Sequence, residues 1–411
     1  MMKRFHNLIQ MGVNESFSDI HISGDHKIVC RKNGKIVFLN DRYTCEQIDA
    51  LVLKMLRPHE FEMLRSRLSV DLSRTVNHVR IRVNVFNSTR GLSIAVRLLP
   101  GRIPTFNDLN LLPELRDFSE LSTGLILVCG ATGSGKSSTI AAFLAEINRT
   151  RSCHVMTLED PIEYRFRSEN SFIQQRELGQ HIQSFDQGLM DVLREDPDVI
   201  MVGELREPET IRLTLNAVES GHLVIASLHA TNSEDALYRM CNSFPPDAQD
   251  MVRVQLSSVL SLLLVQKLEF KRQFGFRVPV LSVLKGVNSV KATIRDNRFA
   301  QIESILQTGR RDGMYTMEKY EEEYLNTKSR MTPPSISFRP SAEIADAREY
   351  RSPVLTSGGR QPGENTVYRP DLEAARPVPS AVPQNPGPVG PGQYVIEDTS
   401  SVEDVISQLK P

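Results

Sequence analysis

Tryptophan is absent from this chain of 411 residues, and cysteine is scarce and scattered. Cys30, Cys45, Cys129, Cys153 and Cys241 form no C-x-x-C pair, which excludes a zinc ribbon and a disulfide framework and points to a reducing compartment. Long apolar runs are missing too. The most apolar one, Val259 to Val265, falls far short of the ~20 residues needed to cross a bilayer. The opening residues, Met1-Met2-Lys3-Arg4-Phe5-His6-Asn7, hold no continuous apolar core of signal-peptide type, so a cytoplasmic chain that is not itself transmembrane is expected. Neither charge is in excess. A net charge of −1 gives no electrostatic ground for binding nucleic acid with the surface as a whole. The remaining composition, 40% apolar and 24% charged, is that of an ordinary globular protein with room for two cores.

What the chain does have is centred on residues 125–137. Leu125 to Cys129 is a short apolar run suited to a fully buried parallel strand. Gly130-Ala131-Thr132-Gly133-Ser134-Gly135-Lys136-Ser137 then matches the P-loop spacing G-x-x-x-x-G-K-[ST]. The residue types suit the chemistry. Gly130, Gly133 and Gly135 allow the backbone to curl until its N–H groups face phosphate oxygens. Lys136 can reach the β- and γ-phosphates of ATP, and the Ser137 hydroxyl can ligate Mg2+. A helix from Ser138 to about Ile147 would point its positive end at the anion.

In chain order, residues 1–99 read as a small α+β domain on an antiparallel sheet. Asp19 to Ile22 alternates like a strand, and Asn33-Gly34 sits between two strand segments as a tight hairpin turn. Thr44 with Gln47 forms a capping box for a helix, and Pro58 starts another. Three further strands follow over 70–76, 78–87 and 92–98. Pro100, Gly101 and Pro104 mark a linker, taken as 100–111. Residues 112–330 change to buried strands (125–129, 154–158, 199–202, 223–228) alternating with helices at 137–148, 185–195, 207–220 and 233–242. A longer helix is expected over Asp247 to Leu268. This is a doubly wound α/β core with a mostly parallel sheet. Residues 331–411 hold 13 of the 23 prolines and few large apolar groups, so disorder is expected there. Within that tail, Val402, Val405, Ile406 and Leu409 make a short amphipathic stripe, either a frayed end or a docking peptide.

Further acids are expected beside the P-loop. Glu159, Asp160 and Glu163 follow a strand at its carboxyl end, where open α/β sheets place ligands. The strand Val199 to Val202 runs into Gly203 and Glu204, an acid able to hold Mg2+ or to orient an attacking water. Glu159 and Glu204 are thus the acidic metal candidates beside Ser137, with solvated strand-end turns as the bland alternative for each cluster. His222 and His229 bracket another strand. Their separation of seven puts them on opposite faces, against a shared metal; His229 could sense a γ-phosphate, whereas His222 taken alone reads as structural.

Together these stretches resemble the secretion and pilus ATPase superfamily, and most closely its PilT-type pilus-retraction members. The resemblance rests on Ser18 to Ile22, Arg80 to Asn84, the P-loop and the Asp box Glu159-Asp160-Pro161-Ile162-Glu163. It continues through Leu193 to Asp198 with Gly203-Glu204, then Thr210-Ile211 with Gly221 to His229, and Ser304 to Gly309 with Gly313-Met314. It implies a PAS-like N-terminal domain, a RecA-like ATPase domain, a homo-oligomeric ring (a hexamer) and ATP-driven domain motion. It further implies Glu163 as general base, Glu204 as Walker B acid, His222 and His229 as a His-box pair, and Arg82 and Arg97 as arginines approaching nucleotide. The expected setting is the cytoplasmic face of a bacterial inner membrane, against a platform protein of a pilus or secretion machine.

Ser289 to Asp296 departs from the usual retraction signature Ala-Ile-Arg-Asn-Leu-Ile-Arg-Glu, and the proline-rich tail is additional. Retraction and a related type IV secretion or conjugation role therefore both stay open. The lack of cysteine pairs argues against the zinc-bearing assembly ATPases. Two rivals belong to other classes. A RecA-like motor on nucleic acid needs a basic, aromatic channel, which the absence of tryptophan and the near-zero charge disfavour. A regulatory subunit that binds ATP without turnover is opposed by the presence of both Glu163 and Glu204.

Overall fold

The structure, a computed structural model, describes residues 1–32 and 34–333. The expectations for most of the proline-rich tail and for its terminal amphipathic stripe lie outside the described residues, as does Asn33 of the hairpin turn.

The chain begins with α1 (Met2–Asn14), then β1 (Phe17–Ser23), β2 (Lys27–Lys32) and β3 (Lys35–Arg42). Helices α2 (Cys45–Met55) and α3 (Pro58–Arg67) lead to β4 (Ser69–Val76), β5 (Val79–Ser88) and β6 (Gly91–Leu98). The six strands form one antiparallel sheet in the order β3-β2-β1-β6-β5-β4. Local chemistry explains the starts. The Thr44 hydroxyl accepts the N–H of Gln47, whose side chain returns to the Thr44 N–H, and Pro58 occupies the first turn of α3, where no N–H is needed. Alternation decides the burial. Val79, Ile81, Val83 and Val85 share one face of β5 and pack with Phe5, Ile9, Ile48 and Leu51 of the helices.

A second sheet carries the rest. Its elements are β7 (Gly124–Cys129), α4 (Lys136–Thr150), β8 (His154–Glu159), β9 (Phe172–Glu177), α5 (Phe185–Val192), β10 (Val199–Val202), α6 (Pro208–Glu219), β11 (Leu223–Leu228) and α7 (Ser233–Asn242). They continue with α8 (Pro246–Val259), β12 (Leu260–Lys271), β13 (Phe276–Lys285), α9 (Asn288–Arg295) and α10 (Ile302–Thr308). The order is β13-β12-β7-β11-β10-β8-β9, parallel throughout except for the antiparallel edge strand β13. β7 lies inside this sheet and is buried at every residue. Leu125, Leu127 and Cys129 join the apolar cluster on one face, and Ile126 and Val128 join the cluster on the other.

This is the α/β class expected from the sequence, an α+β sheet layer followed by a mostly parallel one. Three elements differ. The helix expected over 247–268 stops at Val259, and Leu260–Lys271 is a strand beside β7. Helical periodicity and a buried strand are indistinguishable over so apolar a run; the open edge of β7 decides, because its backbone N–H and C=O groups need partners that only a strand can supply. β9 and β13, the two edge strands of this sheet, were likewise not expected.

Candidate functional site

The P-loop follows β7 and folds back under α4. At Gly130, φ is +148°, and a Cβ there would lie 2.3 Å from the Gln266 carbonyl oxygen; at Gly135, φ is +93°, and a Cβ would lie 2.6 Å from the Gln266 side-chain nitrogen. Any side chain at either position would break the curve. Ser134 is buried, and its hydroxyl has no partner among the described residues. Lys136 opens α4, and its Nζ donates to the carbonyls of Gly130 at 2.8 Å and Ala131 at 3.1 Å. Burial holds its pKa below the usual lysine value, against the opposing pull of Glu204 and Glu163. Ala131, Thr132 and Gly133 form the exposed rim of the loop.

The loop is pinned from β12. Gln266 Nε2 donates to the Ser134 carbonyl at 2.8 Å, and its Oε1 accepts from the Thr139 hydroxyl at 2.7 Å. The expectation of a helix through this segment hid Gln266. Had Val259 to Val265 been taken as a strand, Gln266 would have stood at the carboxyl end of a strand beside the P-loop.

The carboxyl ends of three strands, β8, β10 and β11, lie beside this loop. At the end of β8, Glu159 is buried, and its Oε1 accepts from the Thr157 hydroxyl at 2.7 Å and from Gln175 Nε2 at 2.9 Å. Burial lifts its carboxyl to about 7. Glu163 follows four residues later, half-buried. Burial raises its pKa, while the Ser137 hydroxyl donating to its carboxylate and the charges of Arg82, Arg97 and Lys136 oppose the rise. Behind it the Tyr164 hydroxyl meets that of Ser138 at 2.8 Å. Past β10, the Glu204 carboxylate accepts from Arg206 at 2.6 Å and stands 3.3 Å from His229 Nε2.

Arg82 and Arg97 are direct cross-strand neighbours on β5 and β6. They pair with Asp71 and Asp19 respectively, and their charge reaches Glu163 of their own chain. His222 is not brought to the site. It lies at the start of β11, where its Nδ1 donates to the Ala217 carbonyl at 2.7 Å, while the P-loop edge is at the other end of that strand, about 20 Å away at ~3.3 Å per residue. Of the His-box pair, this chain therefore brings His229 to the P-loop end of the sheet and leaves His222 at the other end. Among the described residues, no group of three or more His, Cys, Asp or Glu is arranged to hold a metal ion by itself, and no helix is long and apolar enough to cross a membrane.

Glu159 offers a test of the buried charge. Folding lifts its carboxyl from 4.5 to about 7, so the folded chain keeps a proton that the unfolded chain releases. Its contribution to stability is therefore full below about pH 4.5 and is lost as pH rises through about 7. Between about pH 5 and about pH 8, the Tm of the native protein should fall relative to that of Glu159→Gln, by the equivalent of up to ~3 kcal/mol at 1.36 kcal/mol per unit. Parallel pH profiles for the two proteins would show that this carboxyl does not titrate in that window.

The sequence matches the family described as Type II/IV secretion system protein over residues 3–347. It is 37% identical over 313 residues to the uncharacterized protein YggR of Escherichia coli K12, covering 76% of this chain and 95% of that one. To the type IV pilus retractation ATPase PilT of Pseudomonas aeruginosa it is 36% identical over 313 residues, covering 76% and 91%. The crystal structure of the pilus retraction motor PilT with bound ADP superposes with a TM-score of 0.72 at 35% identity, covering 83% of this chain and 95% of that chain.

Proposed function

The chain belongs to the Type II/IV secretion system protein family, and from that premise we propose that it is a PilT-like ATPase that converts ATP hydrolysis into mechanical work on a pilus or a related secretion machine. The observation that carries this reading is the convergence on one P-loop of Lys136, Ser137, Glu163 and Glu204, with a glycine-lined cradle and a buried Ser134 hydroxyl unpartnered among the described residues.

Gly130 to Ser138 hold the phosphates, with backbone N–H groups and the end of α4 directed at the anion. Glu163 orients a water and takes its proton as the oxygen attacks the γ-phosphorus and the bond to the β-phosphate oxygen breaks. Lys136 offsets the charge on the transferring group. His229, which lies beside Glu204, would report on that group. Arg82 and Arg97 supply further positive charge from the first sheet of the same chain. Ser137 and Glu204 offer the hard oxygen donors that suit Mg2+, and the ion when bound would neutralise phosphate charge. Glu159 suits that task less well, because its oxygen is already engaged by Thr157 and Gln175.

The proposal extends to assembly and setting. Residues 1–99 act as one body and 112–330 as another, moving about 100–111 in a homo-oligomeric ring, a hexamer, at the cytoplasmic face of a bacterial inner membrane against a platform protein. Steady-state phosphate release by the purified chain tests the whole reading. Turnover should rise steeply with protein concentration as subunits associate, and added DNA should leave it unchanged. Nucleotide binding without release would make the chain a regulatory subunit, and strong stimulation by DNA would make it a nucleic-acid motor.

A further inference from the structure

The buried pair Arg80–Glu177 bridges the two sheets, and nothing in the site as described uses it. We propose that Glu177 is a positioning residue: it holds the loop that carries Glu163 and is itself held by Arg80 of the first sheet. The stance of the first sheet thereby sets the competence of the site. This rests on the reading of Glu163 as the base.

Arg80 lies on β5 and Glu177 ends β9, 97 residues apart in sequence, with side chains only 8% and 4% exposed. One carboxylate oxygen of Glu177, Oε2, accepts both from Arg80 and, at 3.2 Å, from the backbone N–H of Ile162, the residue before Glu163. The other, Oε1, accepts from Gln180, and the Glu177 N–H donates to His181 Nδ1 at 2.9 Å. The Glu163 N–H is held by Glu159, and the Leu178 N–H donates to the Glu159 carbonyl at 2.9 Å. Two acceptors therefore fix two successive N–H groups of the Asp-box loop, and only Glu177 also touches the first sheet.

The physics makes this a coupling and not merely a contact. A carboxylate so deeply buried is tolerable only with its cation in place. If the first sheet swings about residues 100–111 and withdraws Arg80, the uncompensated charge has to turn toward water. The acceptor of the Ile162 N–H goes with it, and Glu163, next along the chain, loses its register over Lys136 and Ser137. The reverse also holds: a correctly seated loop presents Glu177 to Arg80 and draws the sheets together.

Two full-length variants separate the two halves of this bridge. Glu177→Gln keeps an acceptor for the Ile162 N–H but removes the ion pair. The exchange Arg80→Glu with Glu177→Arg keeps an ion pair between the sheets but leaves Ile162 no acceptor, since arginine only donates. Both should lower kcat by about 10- to 100-fold, with KM for ATP within about twofold of the native value, as expected when a positioned group shifts by ~1 Å. A bridge that only fastened the sheets would let the exchange recover native kcat together with native Tm, and that result would overturn the proposal. Should the exchange fail to fold, Glu177→Gln decides alone: native kcat with a lowered Tm overturns it. Lys136→Ala assayed in parallel keeps the two readings apart, because native turnover there rejects the P-loop site itself whatever Glu177 does.

Discussion

Lys136→Ala should lower the rate of ATP hydrolysis by ~10²-fold or more, the loss typical when a preorganised charge on a transferring phosphoryl group is removed. The ammonium group stands at the first residue of α4, half-buried among loop carbonyls, with Glu204 and Glu163 near enough to favour its charged form. It gives the P-loop its only side-chain positive charge, since Gly130 to Gly135 carry no ionised side chain. Alanine cannot replace that charge. Stability should change little, by about 1 kcal/mol, because the bonds lost are two to backbone carbonyls, one part-buried and one exposed. Phosphate release and thermal melting on the same preparation make the comparison. A folded variant with near-native turnover would remove Lys136 from the mechanism.

Glu163→Gln should slow hydrolysis by ~10²- to 10⁴-fold while the protein still takes up ATP, since an amide neither accepts the proton of the attacking water nor orients it as a carboxylate does. Its surroundings add a signature in pH. Burial raises the Glu163 pKa above 4.5 even against the Ser137 hydroxyl and three nearby cations, so the protonated, inactive form persists to higher pH than for an exposed glutamate. Activity should climb with pH through that pKa, and this acid limb should vanish in Glu163→Gln. Glu204→Gln should instead raise the Mg2+ concentration needed for turnover. A single-turnover assay with labelled ATP distinguishes the two. If Glu204→Gln traps intact ATP and Glu163→Gln turns over normally, the roles are to be exchanged.

Much of the fold was legible because its causes are local. A capping box, a proline at a helix start and an apolar run ending in Gly130 are each written within about ten residues, and each formed as expected. β12 was not legible. Its apolar residues suit a buried helix or a buried strand equally, and the deciding term, the unpaired edge of β7, belongs to residues more than a hundred positions away.

For the candidate site, the sequence by itself determined the chemistry on offer: a P-loop by its spacing, and acids at strand ends by their position after apolar runs. Only the tertiary structure decided which of these groups meet. Parallel pairing of β7, β8, β10 and β11 put Glu159, Glu163, Glu204 and His229 at the edge that carries the P-loop. The same pairing left His222 at the opposite edge, because a strand separates its two ends by its own length. Gln266, Arg80 and Glu177 entered the picture only through contacts between distant segments. Hydrogen bonds and buried charges act over a few ångströms of space, whatever the separation along the chain, and spacing in sequence carries no record of them.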